Sequence, residues 1–118
     1  MNSDFILLNK TYQTVEFLNK ILINFPNKET VLKNSVESNL YQMLENLFAF
    51  NINDTNRIKE KYLKEYLIHL SMINFFMHQA MTKKYINYKQ AEKIGKICLD
   101  LKKITYTLMK GLTNEDKV

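Results

Sequence analysis

The sequence predicts an all-α fold, an antiparallel up-down-up-down four-helix bundle. The chain of 118 residues holds two glycines and one proline, whereas a β-rich fold of this length needs many more turn residues. Apolar side chains recur at steps of three and four along four long segments, which is the spacing of amphipathic helices. Only short polar breaks separate the segments, and short connections favour antiparallel neighbours. We expect one bundle domain over residues 1–112 and a polar tail over residues 113–118.

The first two predicted helices meet at a proline turn. The first covers about residues 5–24 and must end there, because Pro26 disfavours the helical conformation at the residue before it. Its apolar face comprises Leu8, Val15, Leu18, Leu22 and Phe25, with Tyr12 beside Leu8. The second helix covers about residues 28–51, with Asn27 as its N-terminal cap. Its core positions are Leu32, Val36, Leu40, Met43, Leu47 and Phe50.

The third predicted helix covers about residues 55–84 and is apolar on two faces along its second half. Its main seam comprises Leu63, Tyr66, Leu70, Ile73, Met77 and Ala80. A second apolar set lies outside that seam: Leu67, Ile68, Met72, Phe75, Phe76 and Met81. A helix that is apolar on two faces is buried on two faces, so the second face requires a partner, most economically another copy of the chain. We therefore predict a homo-oligomer whose interface includes Met72, Phe75 and Phe76.

The fourth predicted helix begins after Asn87, a suitable cap, and ends near Gly111, a natural helix stop. Its apolar face comprises Ile94, Cys98, Leu101, Thr105 and Leu108. Lysines recur every seven residues on the opposite face, at Lys89, Lys96, Lys103 and Lys110, with Lys93 beside them. Asp100 is the one acid on this stripe.

The basic charge of the protein is concentrated in its last quarter. The net charge is +5, and residues 83–110 hold eight lysines against two acids. Such asymmetry suggests a polyanionic partner. The candidate nucleic-acid-binding residues are Lys83, Lys84, Lys89, Lys93, Lys96, Lys103 and Lys110. Lysines contact phosphates and do not read bases, so we expect salt-sensitive binding of low sequence specificity. The alternative is a face that only solvates the protein.

Two tyrosines beside the first of these lysines are candidates for a more specific contact. Tyr85 and Tyr88 interleave with lysine, and aromatic rings in such a setting stack on unpaired bases while the charges follow the phosphates. Packing within the bundle or at a subunit interface is the competing interpretation.

The pattern does not favour catalysis or metal binding. His69 and His78 are nine residues apart and do not form an i, i+4 pair of ligands. Cys98 lies on an apolar face, where a small buried side chain is the ordinary role, and two glycines cannot build a nucleotide-binding loop. We expect a protein that is not an enzyme and has no cofactor or metal. We also expect it to be cytoplasmic, with no signal peptide and no membrane-spanning segment.

Three features of the chain support a family resemblance over about residues 8–111. They are the FP turn in LLNKTYQTVEFLNKILINFPNKET, the LEN segment in VESNLYQMLENLFAFN, and the lysine-glycine that closes the pattern of the last two helices. In these features the sequence resembles the four-helix-bundle family that contains the accessory variability determinant of diversity-generating retroelements. The same family includes the proteins encoded by intervening sequences of bacterial 23S ribosomal RNA genes.

This resemblance implies a ring-like homopentamer that binds a reverse transcriptase, and RNA or DNA, during mutagenic copying of a template RNA. It implies no catalytic residues. Basic positions carry over as candidates to Lys89, Lys93, Lys96, Lys103 and Lys110. The alternative function is that of a structural or protein-interaction bundle of the intervening-sequence type, without nucleic-acid binding.

Overall fold

The computed structural model describes residues 3–116, which form a four-helix bundle. The helices are α1 (Ser3–Leu22), α2 (Thr30–Ile52), α3 (Asn56–Thr82) and α4 (Tyr88–Asp116), and no strand occurs in this range. Each helix packs against the next, and α4 packs back against α1. The body measures 52 × 23 × 20 Å. The all-α prediction is confirmed.

The core follows the predicted seams of α2 and α3. All six predicted core positions of each of these helices are buried. On α4, Ile94, Cys98, Leu101 and Thr105 are buried as well, whereas Leu108 is half-buried at the edge of the same cluster. A simple three-and-four apolar spacing therefore sufficed to orient these three helices.

The first helix and the turn after it bury four of the five predicted positions, Val15, Leu18, Leu22 and Phe25, and depart from the prediction only in the first half of α1. Leu7 and Thr11 are fully buried, whereas Leu8 is half-buried and Tyr12 is exposed. Thr11 belongs in the core because its Oγ1 donates to the Leu7 carbonyl oxygen at 2.7 Å, and Thr14 Oγ1 likewise donates to the carbonyl one turn before it at 2.7 Å. With its hydroxyl satisfied inside the helix, a threonine presents its methyl group to the core.

The turn between α1 and α2 is held by an aromatic anchor. Phe25 is buried, and its ring packs against that of Tyr85 with 5.4 Å between the centroids. The second helix begins later than predicted, with Glu29 at the N-cap position, so the prediction of Asn27 as the cap is wrong. The backbone N–H of Glu29 donates to the Pro26 carbonyl oxygen at 3.0 Å. This hydrogen bond closes a turn between Pro26 and Glu29, and α2 begins only after it.

The third helix ends in a Schellman motif, a left-handed turn closed by two backbone hydrogen bonds. Lys84 has a φ of 65°. Its N–H donates to Met81 O, and the N–H of Tyr85 donates to Ala80 O, both at 2.9 Å. This pairing satisfies two of the last helical carbonyl groups, and it turns the chain towards α4.

The fourth helix begins as predicted and ends later than predicted. Asn87 Oδ1 accepts from the Gln90 backbone N–H at 2.8 Å, and Gln90 Oε1 accepts from the Asn87 N–H at 2.9 Å. This is a capping box. The predicted stop near Gly111 is wrong, because this glycine has no positive φ and the helix continues to Asp116. Leu112 packs against the core and extends the helix.

Candidate nucleic-acid interface

The lysines of α4 face solvent as the sequence predicted. Lys89, Lys93, Lys96, Lys103 and Lys110 are all exposed. Because the helix rises by about 1.5 Å per residue, lysines seven residues apart stand roughly 10 Å from one another along its axis. Together they form a line of positive charge along most of α4.

The first helix adds two further lysines to this side of the bundle. Lys10 Nζ lies 2.8 Å from Asp100 Oδ2, which places α1 directly beside the α4 stripe. Lys20 is exposed and lies one turn beyond Phe17, which also contacts α4. We define the basic face as Lys10 and Lys20 of α1 with the five α4 lysines named above; the sixth exposed lysine of α4, Lys102, lines a cleft on the α3 side. Lys10 and Asp100 cancel each other's charge, so the net positive charge of the basic face comes from its other lysines.

Two of the α4 lysines already have partners on the protein. Lys96 Nζ lies 3.5 Å from Glu92 Oε1 in an exposed pair, of a kind that contributes about 0.3–0.5 kcal/mol. Lys93 Nζ lies 4.5 Å from the centre of the Phe17 ring. None of the ion pairs found among the described residues involves Lys89, Lys103 or Lys110.

The lysines before α4 have a different setting. Lys83 Nζ lies 3.2 Å from Glu29 Oε1, and the Tyr85 hydroxyl donates to the same oxygen at 2.5 Å. The Tyr85 hydrogen bond, followed by that of Lys83, lowers the pKa of Glu29, and the same contact with Glu29 raises the pKa of Tyr85. Lys83 and Tyr85 therefore fasten the α3–α4 connection to the start of α2. Lys84 is exposed and occupies the left-handed turn.

On the basic face, the aromatic ring that lies among lysines is that of Phe17, which the sequence analysis did not single out. Tyr85 is half-buried in the contact with Glu29, and Tyr88 is exposed in a cleft on the α3 side of α4. Phe17 instead lines a cleft of about 250 Å³ between α1 and α4, together with Lys10, Lys93 and Asp100. Its position depends on the pairing of α1 with α4, for which the sequence gives no local signal.

The predicted oligomer interface on α3 is divided between two environments. Met72 and Phe75 are 38% and 52% exposed, next to the exposed Ile68. Phe76 is half-buried against the core, with its ring 5.6 Å from that of Phe75. Met72 and Phe75 are therefore exposed enough to contact another subunit, whereas Phe76 packs against the core of its own bundle.

Exposed aromatic side chains, which the sequence analysis missed, also occur on α1 and α2. Phe5, Tyr12, Tyr41 and Phe48 are exposed there, and we call this set the aromatic face. The sequence analysis places Tyr12 beside the apolar face of the first helix, whereas the structure exposes it. Tyr12 is exposed because the neighbouring Thr11 is the residue of this turn that faces the core.

The groups that were weighed for catalysis or metal binding are separate from one another. His69 Nδ1 lies 2.8 Å from Asn39 Oδ1 and joins α3 to α2. Burial raises the pKa of the Cys98 thiol to about 11, so it stays protonated near neutral pH. Among the described residues, no group of three or more His, Cys, Asp or Glu is arranged to hold a metal ion. None of the helices in residues 3–116 combines the length and apolar character needed to cross a bilayer.

Comparison with known proteins supports the four-helix fold. No protein-family model and no curated protein matches the sequence. The chain is similar to the crystal structure of a protein of unknown function from the S23 ribosomal protein family of Bacteroides thetaiotaomicron. That match has a TM-score of 0.81 at 17% sequence identity and covers 92% of this chain and 99% of the other. At this identity the likeness establishes a shared four-helix fold.

Proposed function

We propose that this protein is a non-catalytic accessory protein of a diversity-generating retroelement. It binds template RNA or its complementary DNA through the basic face, and it binds the reverse transcriptase during mutagenic copying. The observation that carries the proposal is the continuous line of exposed lysines along α4, extended onto α1 by Lys10 and Lys20. The similarity to an S23-family structure supports the part of the resemblance that concerns the fold.

The chemistry of the basic face suits phosphate binding of low sequence specificity. Lysine ammonium groups act as point charges, whereas bidentate recognition of bases or phosphates is the speciality of arginine. The chain has one arginine, Arg57, which lies on α3 and is not part of the basic face. Binding that tolerates many sequences is what an accessory to template copying requires.

The test is a charge reversal on the basic face with a matched reversal elsewhere. One variant carries Lys89→Glu, Lys96→Glu and Lys103→Glu. The control carries Arg57→Glu, Lys61→Glu and Lys64→Glu, which are three exposed cations on α3 with the same change in net charge. Binding of labelled single-stranded RNA at low salt should be lost in the first variant and kept in the control. Equal weakening in both would indicate a general charge effect and would contradict the proposal.

We further propose that the protein acts as a ring-like homopentamer in the cytoplasm, with each up-down-up-down bundle contacting its neighbours through its exposed apolar surfaces. A ring needs two different complementary patches on each subunit. Two surfaces are candidates for these patches: the α3 surface around Met72 and Phe75, and the aromatic face. Native mass spectrometry should give about five times the chain mass of 14.1 kDa. Co-purification with a reverse transcriptase encoded beside its gene tests the partner.

The second candidate function is a structural or protein-interaction bundle of the intervening-sequence type. The observation that favours it is the extent of exposed apolar surface, which includes Tyr41 and Phe48 as well as Phe75. Large exposed apolar patches mark contacts with other proteins. An intact oligomer that binds no nucleic acid at low salt would favour this function over the first.

A further inference from the structure

We infer that the cleft between α1 and α4 receives one unpaired base of a bound strand, so that the basic face prefers single-stranded nucleic acid to duplex. The inference rests on the proposed function, because it specifies which form of nucleic acid the basic face binds. The arrangement that carries it is an aromatic ring, Phe17, set in a solvent-open cleft between Lys10 and Lys93.

The cleft has the size and the walls for one ring system. Its volume of about 250 Å³ lies just below the roughly 300–1,000 Å³ of pockets for drug-sized ligands. Phe17, Ile97 and Leu101 supply apolar surface within it. Gln13 and Asp100 line it too and bring polar groups to its walls.

The ring of Phe17 offers a face that the core does not cover. Lys93 Nζ lies 4.5 Å from the ring centre, so an ammonium group, and no apolar side chain, occupies that position. Lys93 is exposed, and the attraction of a cation to an aromatic ring at an exposed site is weak. A base can take its place on the ring, and the displaced ammonium group is then free to contact a phosphate of the same strand.

Stacking on Phe17 also explains why duplex should bind less well. Every base has a flat aromatic face, so stacking on a protein ring tolerates any sequence. In a single strand the base edges are open to groups such as the Gln13 amide and the Asp100 carboxylate. In a duplex the bases are stacked and paired with one another, and only the phosphates reach the lysines. Lysines alone contact the phosphates of either form and would not favour the single strand.

The experiment uses the unaltered protein and three labelled probes of one length. They are an intact DNA single strand, the same strand with every base removed, and the duplex. The phosphates of the two single strands are alike, so any difference between them reports base contact. The intact strand should bind about 5- to 100-fold more tightly than the abasic strand, which is the range expected for stacking of one base. It should also bind more tightly than the duplex.

The outcomes separate this inference from the proposed function. Equal affinity of intact and abasic strands would overturn the base-binding cleft while leaving phosphate binding by the basic face intact. Binding of the duplex in preference to the single strand would overturn it as well. A failure of all three probes to bind at low salt would overturn the proposed function and the inference together.

A matched pair of variants then locates the base. Phe17→Leu removes the ring and keeps an apolar side chain, and it should abolish the difference between intact and abasic strands. Phe48→Leu makes the same chemical change at an exposed phenylalanine on the aromatic face and should retain the difference. Thermal unfolding of both variants establishes that they fold. Retention of the difference in a folded Phe17→Leu protein would place the base elsewhere and overturn the inference. The comparison of probes on the unaltered protein stands even if this variant fails to fold.

Discussion

A hydrogen bond inside the bundle joins α1 to α3 and allows the packing to be tested quantitatively. The hydroxyl of Tyr66, which is fully buried, lies 2.7 Å from Thr11 Oγ1. Thr11 already donates its own proton to the Leu7 carbonyl oxygen at 2.7 Å. Tyr66 must therefore be the donor in the contact between the two hydroxyl groups. This direction makes substitutions of the two residues unequal in their effect.

Removing the donor should cost less than removing the acceptor. Tyr66→Phe deletes one hydrogen bond and leaves Thr11 bonded to Leu7, so the free energy of unfolding should fall by about 1 kcal/mol. Thr11→Val keeps the shape of the side chain but leaves the Tyr66 hydroxyl buried without an acceptor, which costs about 1–3 kcal/mol. In the double variant neither hydroxyl remains. The double variant should lose less free energy of unfolding than the two single variants lose together, by roughly 1 kcal/mol or more.

Urea unfolding followed by circular dichroism measures the four free energies of the cycle. Tyr106→Phe is the matched control, because Tyr106 is 49% exposed. Its substitution should change the free energy of unfolding by less than about 0.5 kcal/mol. If the loss of the double variant equals the sum of the two single losses to within about 0.3–0.5 kcal/mol, the reasoning is refuted, because the two hydroxyls then do not interact.

Three further predictions follow from the same structure. Burial raises the pKa of Tyr66 above its ordinary value, so the stability it contributes is present below about pH 10 and is lost as the pH rises beyond that point. In alkaline urea titrations, Tyr66→Phe should lose less stability than the parent, and equal losses would contradict this assignment. Lys84→Gly should raise the free energy of unfolding by about 0.5–1 kcal/mol, because glycine adopts the left-handed φ of 65° without steric cost; a lower unfolding temperature would count against it. Phe75→Asp should reduce the native mass while helicity is retained, whereas Leu99→Asp, at an equally exposed position (both 52%), should not; an unchanged mass in Phe75→Asp would exclude this surface as a subunit contact.

The parts of the fold that the sequence predicted correctly are those in which apolar residues alone define the buried face. The seam from Leu63 to Ala80 on α3 and the core positions of α2 are of this kind. The first half of α1 was predicted less well than its second half, because Thr11 and Thr14 occupy buried positions that an apolar pattern leaves blank. Their hydroxyls bond to the preceding turn, and this makes a polar residue type behave as an apolar one.

The helix end at Gly111 shows a second limit of local patterns. Glycine favours a helix stop when it adopts a left-handed conformation, but the adjacent Leu112 packs against the core and keeps the chain helical. Whether a glycine ends a helix is therefore decided by tertiary contacts that follow it.

The candidate interface was predictable only in the part that lies on one helix. The seven-residue spacing from Lys89 to Lys110 is visible in the sequence, and the helical period alone places these lysines together. The contributions of Lys10 and Phe17 depend on α1 lying beside α4, with residue 10 opposite residue 100. Contacts between residues so distant in sequence produce no local periodic pattern, so the sequence pattern did not predict them.

The central claim is that the lysines of the basic face bind phosphates, and the salt dependence of RNA binding tests it most directly. The logarithm of the association constant for single-stranded RNA, plotted against the logarithm of salt concentration, falls with a slope of about −0.7 for each phosphate contacted. Four to six contacts on the basic face predict a slope between roughly −3 and −4. A slope near zero, or no binding at the lowest salt by an intact oligomer, would contradict the account and leave the lysines as a solvated surface.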